Sequence, residues 1–463
     1  MSLTDYYALS PLLILLATSL LILIFDSFSK HVTVLTLAGI AIALYAAAIC
    51  PVSTSSLLTP WLTFDALSRF FALFFLSVGF ATVLLSIPFL ERFQPSRGEY
   101  LFLLTSSLFG LLLISYSNDF LTFFLGLETL SIALYVLCGY MKKWAISNEA
   151  SVKYFLLGSI STSFLLFGIA LLYGATGSTS FDSLAHPQNQ MLFLSGIGLI
   201  TLSVLFKAAI VPLHIWAPDV YAGAPTPITG FMAVATKAGA FVILIRLFLQ
   251  MYRQVDPIWN EMISLFAYAT LIYANFLAIR QTQLRRFFAY SGISHAGFLL
   301  IPLAAATPDS ASAMLFYLVV YTAATLGSFG ILAVIDSKME GVTFQDLKGL
   351  FHRSPLLASI FTLFLLTLGG VPPTVGFFAK FYLFKVAFSA GNVGLVIVGL
   401  LTTILSAYYY LRIAQVMFDK SSENQEVSHS LPSAAVYTFS SFMILLITCY
   451  PAPFLALFTA VCE

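Results

Sequence analysis

Long apolar stretches separated by short polar segments run through the whole chain. An α-helix needs about 20 mainly apolar residues to cross the hydrocarbon core of a bilayer. The pattern therefore predicts about fourteen membrane-spanning helices. They lie at residues 8–25, 33–50, 64–90, 99–117, 119–139, 150–173, 190–213, 227–250, 258–278, 286–303, 310–335, 354–388, 394–417 and 432–458.

Two of these predicted helices combine a helix-breaking proline with a nearby lysine. The seventh carries Pro212, five residues after Lys207, within TLSVLFKAAIVPLHIW. The twelfth is too long for one straight crossing and contains GGVPPTVG at 369–376. Proline removes a backbone donor and clashes with the preceding turn, so both helices are predicted to be discontinuous. The predicted break residues are Pro212, Gly369, Gly370, Pro372 and Pro373.

Composition supports a membrane protein. Of 463 residues, 60% are hydrophobic and 9% are charged, whereas a soluble domain has about 25% charged residues. We expect an all-α polytopic protein whose surroundings are the lipid bilayer. The net charge of +1 gives no reason to expect a nucleic-acid partner. The four cysteines form no C-x-x-C pair, which argues against a metal or iron–sulfur site.

Basic residues predict how the helices are oriented. One set of alternate loops contains almost every loop cation, and the other contains only Arg253. Cytoplasmic loops are enriched in Lys and Arg, so both termini are predicted to face the outer side. The first apolar stretch lacks a basic leader and a cleavage site, so we interpret it as a retained span. The cations of the first set are Lys30, Arg92, Arg97, Lys142, Lys143, Arg280, Arg285, Arg286, Lys338, Lys348, Arg353 and Lys420.

Five ionisable residues lie near the middle of predicted spans: Glu128, Lys207, Lys237, His295 and Lys380. An ionised side chain at that depth costs at least about 2.5–3.5 kcal/mol, so the five should face one another or water. Buried ion pairs are one interpretation, but a single glutamate cannot compensate three lysines. A proton relay is the other interpretation. Burial disfavours the charged forms of lysine and glutamate, so both can exchange protons more readily near neutral pH.

Cations nearer the helix ends have a simpler interpretation. Their long side chains can reach the membrane surface while their stems stay in the apolar region. Asp65 could also pair with Arg69, four residues later on the same helix. The residues in this class are Arg69, Lys153, Arg246, Lys385 and Arg412.

The two break sites also suggest an internal repeat. Helices 4–8 (99–252) and helices 9–13 (253–417) form two blocks of five, and the fourth helix of each block carries a break and a lysine. An odd number of helices makes the two copies inverted, which is typical of transporters. Residues 1–98 then form a three-helix N-terminal segment, and 418–463 a loop with helix 14.

Several segments between about residue 99 and residue 417 resemble the antiporter-like membrane subunits of respiratory complex I, and most closely subunit N of bacterial NADH–quinone oxidoreductase. These segments are FLGLETLSIALYVL, EASVKYFLLGSISTSFLLFGIALLYGATG, FKAAIVPLHIWAPDVYAGAPTPITGFMAVATKAGAF, YSGISHAGFLL and LGGVPPTVGFFAKFYLF. The sister subunit M carries glutamate where Lys380 stands, and subunit L has a long additional C-terminal helix for which this chain has no room.

The resemblance assigns roles to individual residues. It implies that Glu128 on helix 5 pairs with Lys207 on helix 7. It also implies that Lys237 on helix 8 is the lysine that connects this pair to the rest of the proton path. His295 matches a polar position of helix 10, and Lys380 matches the helix 12 lysine near the proposed exit. Lys153 matches a sixth-helix lysine, which weakens the surface interpretation given above.

The resemblance also implies a function and its setting. The chain would be a non-redox subunit of a proton-translocating NADH:quinone oxidoreductase in the bacterial inner membrane. It would hold no cofactor, since FMN, iron–sulfur clusters and quinone belong to other subunits. Its neighbours in the hetero-oligomer would be the antiporter-like subunit M and the small membrane subunit K.

Three alternatives remain at this stage. A subunit of a multisubunit Na⁺/H⁺ antiporter would need several carboxylate ligands, yet Asp119, Asp219 and Asp336 lie in loops or near span ends. A non-pumping structural subunit would not need Lys207 for proton transport. A haem protein would need paired axial ligands, and only His214 and His295 lie in or near spans.

Overall fold

The computed structural model describes residues 3–26, 28, 31–50, 58–185, 187–247, 258–336, 341–419 and 430–462. These residues are almost entirely helical, with three isolated β-bridges and no β-strand among them. Within them, 13 helices are long and apolar enough to cross a membrane. The one predicted crossing that is not among these thirteen is the twelfth, at 354–388, which is broken into two shorter helices. The prediction of an all-α polytopic membrane protein is therefore confirmed.

The helices in chain order are α1 (Leu3–Asp26), α2 (Val32–Ile49), α3 (Ala66–Phe93), α4 (Arg97–Tyr116), α5 (Phe120–Cys138), α6 (Ala145–Thr176), α7 (Gln190–Lys207), α8 (Trp216–Gly223), α9 (Thr226–Phe231), α10 (Lys237–Leu244), α11 (Ile258–Ile279), α12 (Leu284–Ala305), α13 (Ser310–Ile335), α14 (Leu350–Arg353), α15 (Pro355–Gly369), α16 (Val375–Ser389), α17 (Val393–Phe418), α18 (Leu431–Cys449) and α19 (Pro451–Cys462). A π-helical turn, Met232–Thr236, joins α9 to α10 in one continuous span.

The chain divides into two compact units, of which the first is Met1–Ala208, Gly223–Pro225 and Ala235–Gln254. In this unit α1 packs against α2 and α4, α5 lies between α4 and α6, and α7 packs along α6. The helix α10 contacts α4 and α7. The unit thus holds α5, α6, α7 and α10, which carry Glu128, Lys153, Lys207 and Lys237.

The second unit is Ala209–Ala222, Thr226–Val234 and Val255–Glu463. Here α13 is the central helix, since it contacts α9, α12, α15, α16, α18 and α19. The helix α17 packs against α11 and α15. This unit carries His295 on α12 and Lys380 on α16.

The structure corrects two of the predicted span boundaries. The seventh helix ends at Lys207 rather than at 213, and Ala209 adopts a left-handed conformation with φ 58°. The fourteenth span is two helices, because the chain leaves the α conformation at Tyr450 (φ −134°, ψ 67°), directly before Pro451. Proline disfavours the α conformation of the residue before it, which accounts for the break between Tyr450 and Pro451.

The predicted orientation falls partly outside the described residues. Four of the loop cations that supported it are among the undescribed positions: Lys30, Arg253, Lys338 and Lys420.

Glycine pairs bring helix backbones of the first unit into direct contact. A Cβ on Gly196 of α7 would lie 2.9 Å from the carbonyl oxygen of Gly168 on α6, and a Cβ on Gly168 would lie 2.8 Å from that of Gly196. Gly110 of α4 and Gly126 of α5 form a similar pair. Small residues allow such close packing between helices in a membrane. These contacts fix α7 against α6 and α5 against α4, the helices that carry Lys207 and Glu128.

We expect Gly196→Ala to destabilise the assembled complex by about 1–3 kcal/mol, because the added methyl group forces two helix backbones apart. Gly198→Ala is the matched control, since a Cβ added there would meet no atom within 4 Å and alanine favours the helix. Thermal denaturation of purified complexes measures both variants. Equal denaturation temperatures for the two would contradict the packing argument.

Candidate functional site

Lys207 is the last residue of α7 and its side chain is buried. Its Nζ donates a hydrogen bond to Ser131 Oγ at 2.8 Å and to the Tyr135 hydroxyl at 3.3 Å. Both acceptors lie on α5, four residues apart, so they share one helix face. The C-terminal end of α7 adds a partial negative charge that favours a cation there. The ammonium therefore has neutral oxygen acceptors and a helix end around it.

Glu128 lies one turn before Ser131 on the same face of α5. Its Oε1 accepts a hydrogen bond from Thr162 Oγ1 of α6 at 2.7 Å. Glu128 acts on Lys207 through Coulombic attraction, but the two form no direct ion pair within the part of the chain that the structure describes. In the structure, hydroxyl groups contact the Lys207 ammonium, and the Glu128 carboxylate acts on it from a greater distance.

Lys237 is the first residue of α10 and is 1% exposed. It directly follows the π-helical turn, a feature that is frequent at functional sites. A cavity in the first unit is lined by Ser131, Lys207, Thr236 and Gly239, among others. It has room for about one water molecule. Lys207 and Thr236, the neighbour of Lys237 in the chain, therefore line the same cavity.

The twelfth predicted span is broken where the sequence predicted it. Its two parts are α15 and α16. The helix α15 ends at Gly369, and Gly370 follows in a left-handed conformation with φ 73°. Gly376 lies so close to α15 that a Cβ there would overlap the carbonyl oxygen of Thr367. The N–H of Val375 donates to Thr448 Oγ1 at 3.1 Å, which satisfies a free donor of α16.

Lys380 lies over this break. Its Nζ donates to the carbonyl oxygen of Gly369 at 3.1 Å and to Ser406 Oγ at 3.2 Å. The same atom is 4.5 Å from the centre of the Phe298 ring, within cation–π range. Lys380 is thus bound by neutral groups at the C-terminal end of α15, whereas Lys207 is itself the last residue of α7 and donates to hydroxyls of α5.

His295 is buried on α12 between two tyrosines. Its Nδ1 is 2.6 Å from the Tyr317 hydroxyl, and its Nε2 is 3.2 Å from the Tyr410 hydroxyl. A small cavity of the second unit is lined by His295, Tyr317 and Lys380, among others. The structure therefore brings His295 and Lys380 to one cavity.

Lys153 has a different environment from the other candidates. It forms an ion pair with Glu149 at 2.7 Å along α6, and its side chain is 42% exposed. The structure places it on the surface of α6. The roles proposed for all six candidate residues remain predictions.

The predicted pair between Asp65 and Arg69 is wrong. Asp65 caps α3 through the N–H of Ser68 and binds both Nη atoms of Arg246, at 2.9 and 3.0 Å. Arg69 instead donates to the carbonyl oxygen of Ala48. Arg246 also donates to the carbonyl oxygen of Ser115, so it is a buried structural cation rather than one that reaches the membrane surface. The two-pronged geometry of arginine favours this bidentate contact.

Sequence reasoning missed the neutral partners of the charged residues. Ser131 and Tyr135 follow Glu128 at positions that share its helix face, which is a signal that could have found them. The others come from helices distant in sequence and carry no such signal: Thr162, Phe298, Tyr317, Ser406 and Tyr410.

No group of three or more His, Cys, Asp or Glu residues that could hold a metal ion occurs among the described residues. The predicted absence of a cofactor in this chain remains a prediction.

Comparisons with known proteins identify the family. The family model for the transmembrane region of NADH:quinone oxidoreductases and Mrp antiporters matches residues 117–406. NADH-quinone oxidoreductase subunit N of Protochlamydia amoebophila (strain UWE25) is 53% identical over 468 residues, which cover 98% of each chain.

Solved structures agree with this. A chain of respiratory complex I from Thermus thermophilus, solved with bound aureothin, superposes with a TM-score of 0.84 at 32% identity and covers 96% of this chain and 98% of its own length. A chain of the Mrp complex from Dietzia sp. DQ12-45-1b has a TM-score of 0.88, covering 100% of this chain and 97% of its own, but at 20% identity it shows only a shared fold.

The near-complete match to a subunit N, the family model and the complex I structure all point to one family. The chain belongs to the subunit N family of NADH-quinone oxidoreductase, the antiporter-like subunits of the proton-pumping membrane arm of respiratory complex I.

Proposed function

We propose that Lys207 and Lys380 are the two principal proton-binding groups of this subunit, and that redox energy released in other subunits drives their uptake and release of protons. Glu128 sets the local charge at Lys207, while Lys237 in the first unit and His295 in the second are further proton-carrying groups. The one observation that carries this proposal is the environment of the two lysines. Each lysine is buried beside the C-terminal end of an interrupted helix and donates to neutral oxygen atoms.

Neutral acceptors suit a group that must release its proton. A carboxylate in direct contact holds the charge on a buried lysine, and breaking such a pair is costly. Hydroxyl and carbonyl oxygens stabilise the ammonium less, so a change in a nearby charge can shift the proton. Glu128 is such a nearby charge for Lys207, since it acts through Coulombic attraction without direct contact.

The same environments favour protons over sodium ions as the transported species. Sodium needs several oxygen ligands around an empty position. At both centres the oxygen atoms already surround a lysine Nζ, whose positive charge would repel a second cation.

We expect Lys380→Ala to lower proton translocation coupled to NADH oxidation by roughly tenfold or more, because a group that binds and releases the proton is lost. Lys385→Ala is the matched control, since Lys385 is an exposed residue of the same helix, α16. Proton uptake and quinone reduction should be measured together in membrane vesicles that contain the assembled complex. Full pumping in both variants would overturn the proposal.

Lys380→Arg separates a relay from a purely structural charge. Arginine keeps the positive charge and the donors, but it does not release its proton under physiological conditions. The relay therefore predicts that Lys380→Arg pumps as poorly as Lys380→Ala. Retention of pumping by Lys380→Arg would instead assign Lys380 a structural role.

We further propose that the chain lies in the bacterial inner membrane with both termini on the outer side. The loop cations between predicted spans support this orientation, and several of them are on described loops and helix ends, including Lys142, Lys143, Arg280 and Arg286. We expect a protease-cleavable C-terminal tag to be cut in spheroplasts and protected in inverted vesicles. The reverse pattern would show that the orientation is inverted.

The proposed neighbours in the complex are the antiporter-like subunit M and the small membrane subunit K. The support is the resemblance to subunit N, whose relatives are components of complex I. We expect cross-linking of the purified complex, followed by mass spectrometry, to connect this chain to both. Cross-links to other membrane subunits, with neither M nor K among them, would exclude this arrangement.

A further inference from the structure

We infer that Tyr410, His295 and Tyr317 form a directional proton relay that delivers protons to the cavity beside Lys380. This inference rests on the proposed function and assigns roles to two tyrosines that no residue pattern singled out. Tyr410 lies on α17 and Tyr317 on α13, so the relay joins three helices of the second unit.

The geometry around the imidazole carries the inference. The two ring nitrogens contact two different hydroxyls, Tyr410 at Nε2 (3.2 Å) and Tyr317 at Nδ1 (2.6 Å). A neutral imidazole has one donor nitrogen and one acceptor nitrogen, and a tyrosine hydroxyl can donate and accept. The three groups therefore form an unbroken chain in which each member can receive a proton on one side and pass one on.

The relay has an end at which protons enter. The Tyr410 hydroxyl is also hydrogen-bonded to Ser291 Oγ. Ser291 lies one turn closer than His295 to the start of α12, where Arg285 and Arg286 mark the end predicted to face the cytoplasm. Ser291 is 1% exposed and Tyr410 is fully buried, so these hydroxyls are held away from lipid and solvent.

The relay also has an end at which protons leave. Tyr317 and Lys380 line the same cavity, together with Thr367 of α15 and Gly376 of α16, the two parts of the broken twelfth span. That cavity has room for about one water molecule, which can bridge polar groups that do not touch. His295 lines this cavity as well, and Tyr317 is the hydroxyl that accepts the proton from Nδ1 at its wall.

The proton transfer balances without any redox step. A proton joins the Ser291 oxygen as Ser291 passes its own proton to Tyr410, whose O–H bond breaks as an Nε2–H bond forms. The Nδ1–H bond breaks as the Tyr317 oxygen gains a proton and releases its own into the cavity. One proton enters and one leaves, and His295 ends as the other tautomer. The ring or the hydroxyls must reorient before the next proton can follow.

Tyr409 provides a matched control within the same helix. It is adjacent to Tyr410, is also buried, and packs against Phe287 at nearly the same distance (5.3 and 5.6 Å between ring centres). Its hydroxyl donates to Asn275 Oδ1 at 3.0 Å and not to His295. Tyrosine to phenylalanine at either position removes one buried hydroxyl, but only at Tyr410 does it interrupt the relay.

We expect Tyr410→Phe and Tyr317→Phe each to lower coupled proton translocation by roughly tenfold, since each removes a proton-passing group. Tyr409→Phe should pump like the unmodified complex. Proton uptake and quinone reduction are measured in vesicles, after native electrophoresis has shown equal amounts of assembled complex. Pumping by Tyr410→Phe and Tyr317→Phe at the level of Tyr409→Phe would overturn the relay.

His295→Gln tests the chemistry independently of folding in the tyrosine variants. Glutamine keeps one donor and one acceptor but cannot exchange a proton between two atoms. The relay predicts loss of pumping in His295→Gln with an assembled complex, whereas a structural role for His295 predicts that pumping is retained.

The outcome for Lys380→Ala separates this inference from the proposed function. If Lys380→Ala loses pumping while the Tyr410 and Tyr317 variants keep it, the relay fails and the proposed function stands. If Lys380→Ala also pumps normally, the proposed function itself fails.

Discussion

A lysine that donates to the last carbonyl of an interrupted helix is the interaction on which the second half of this protein depends. A helix end in an apolar environment leaves carbonyl groups without partners, and a buried ammonium lacks the water that would solvate it. The hydrogen bond from Lys380 to Gly369 satisfies both needs at once. The break in helix 12 and the charge beside it are therefore mutually stabilising, and each would be costly without the other.

The first half reaches the same result by a different route. There the lysine is itself the last residue of the interrupted helix, and its acceptors are side-chain oxygens of a neighbouring helix. The glycine contact between α6 and α7 fixes the position of this helix end, so the geometry around Lys207 depends on backbone packing some residues away. In both halves a cation with neutral partners lies beside a small cavity.

Features governed by local sequence could be predicted, and features governed by distant contacts could not. Apolar stretches of sufficient length and the prolines at 212, 372 and 373 were enough to predict the helices and the two central breaks. The same rule applied to Pro451 would have divided the last span as well. It is not sufficient alone, because Pro88 and Pro302 lie inside helices that stay continuous. The pairing of Asp65 with Arg246 joins residues 181 positions apart, and nothing in the local pattern distinguishes it from the closer Arg69. The tyrosines around His295 were equally hidden, because buried tyrosines are common in apolar helices and only the fold shows which hydroxyl meets which nitrogen.

The close contact at Gly376 has a consequence for how this sequence can drift over time. Every residue other than glycine would place a carbon atom on top of the carbonyl oxygen of Thr367, inside the backbone of the opposing half-helix. A backbone atom cannot move aside as the tip of a flexible side chain can. Almost no substitution should therefore persist at position 376, while position 198, with open space around it, should tolerate small apolar residues.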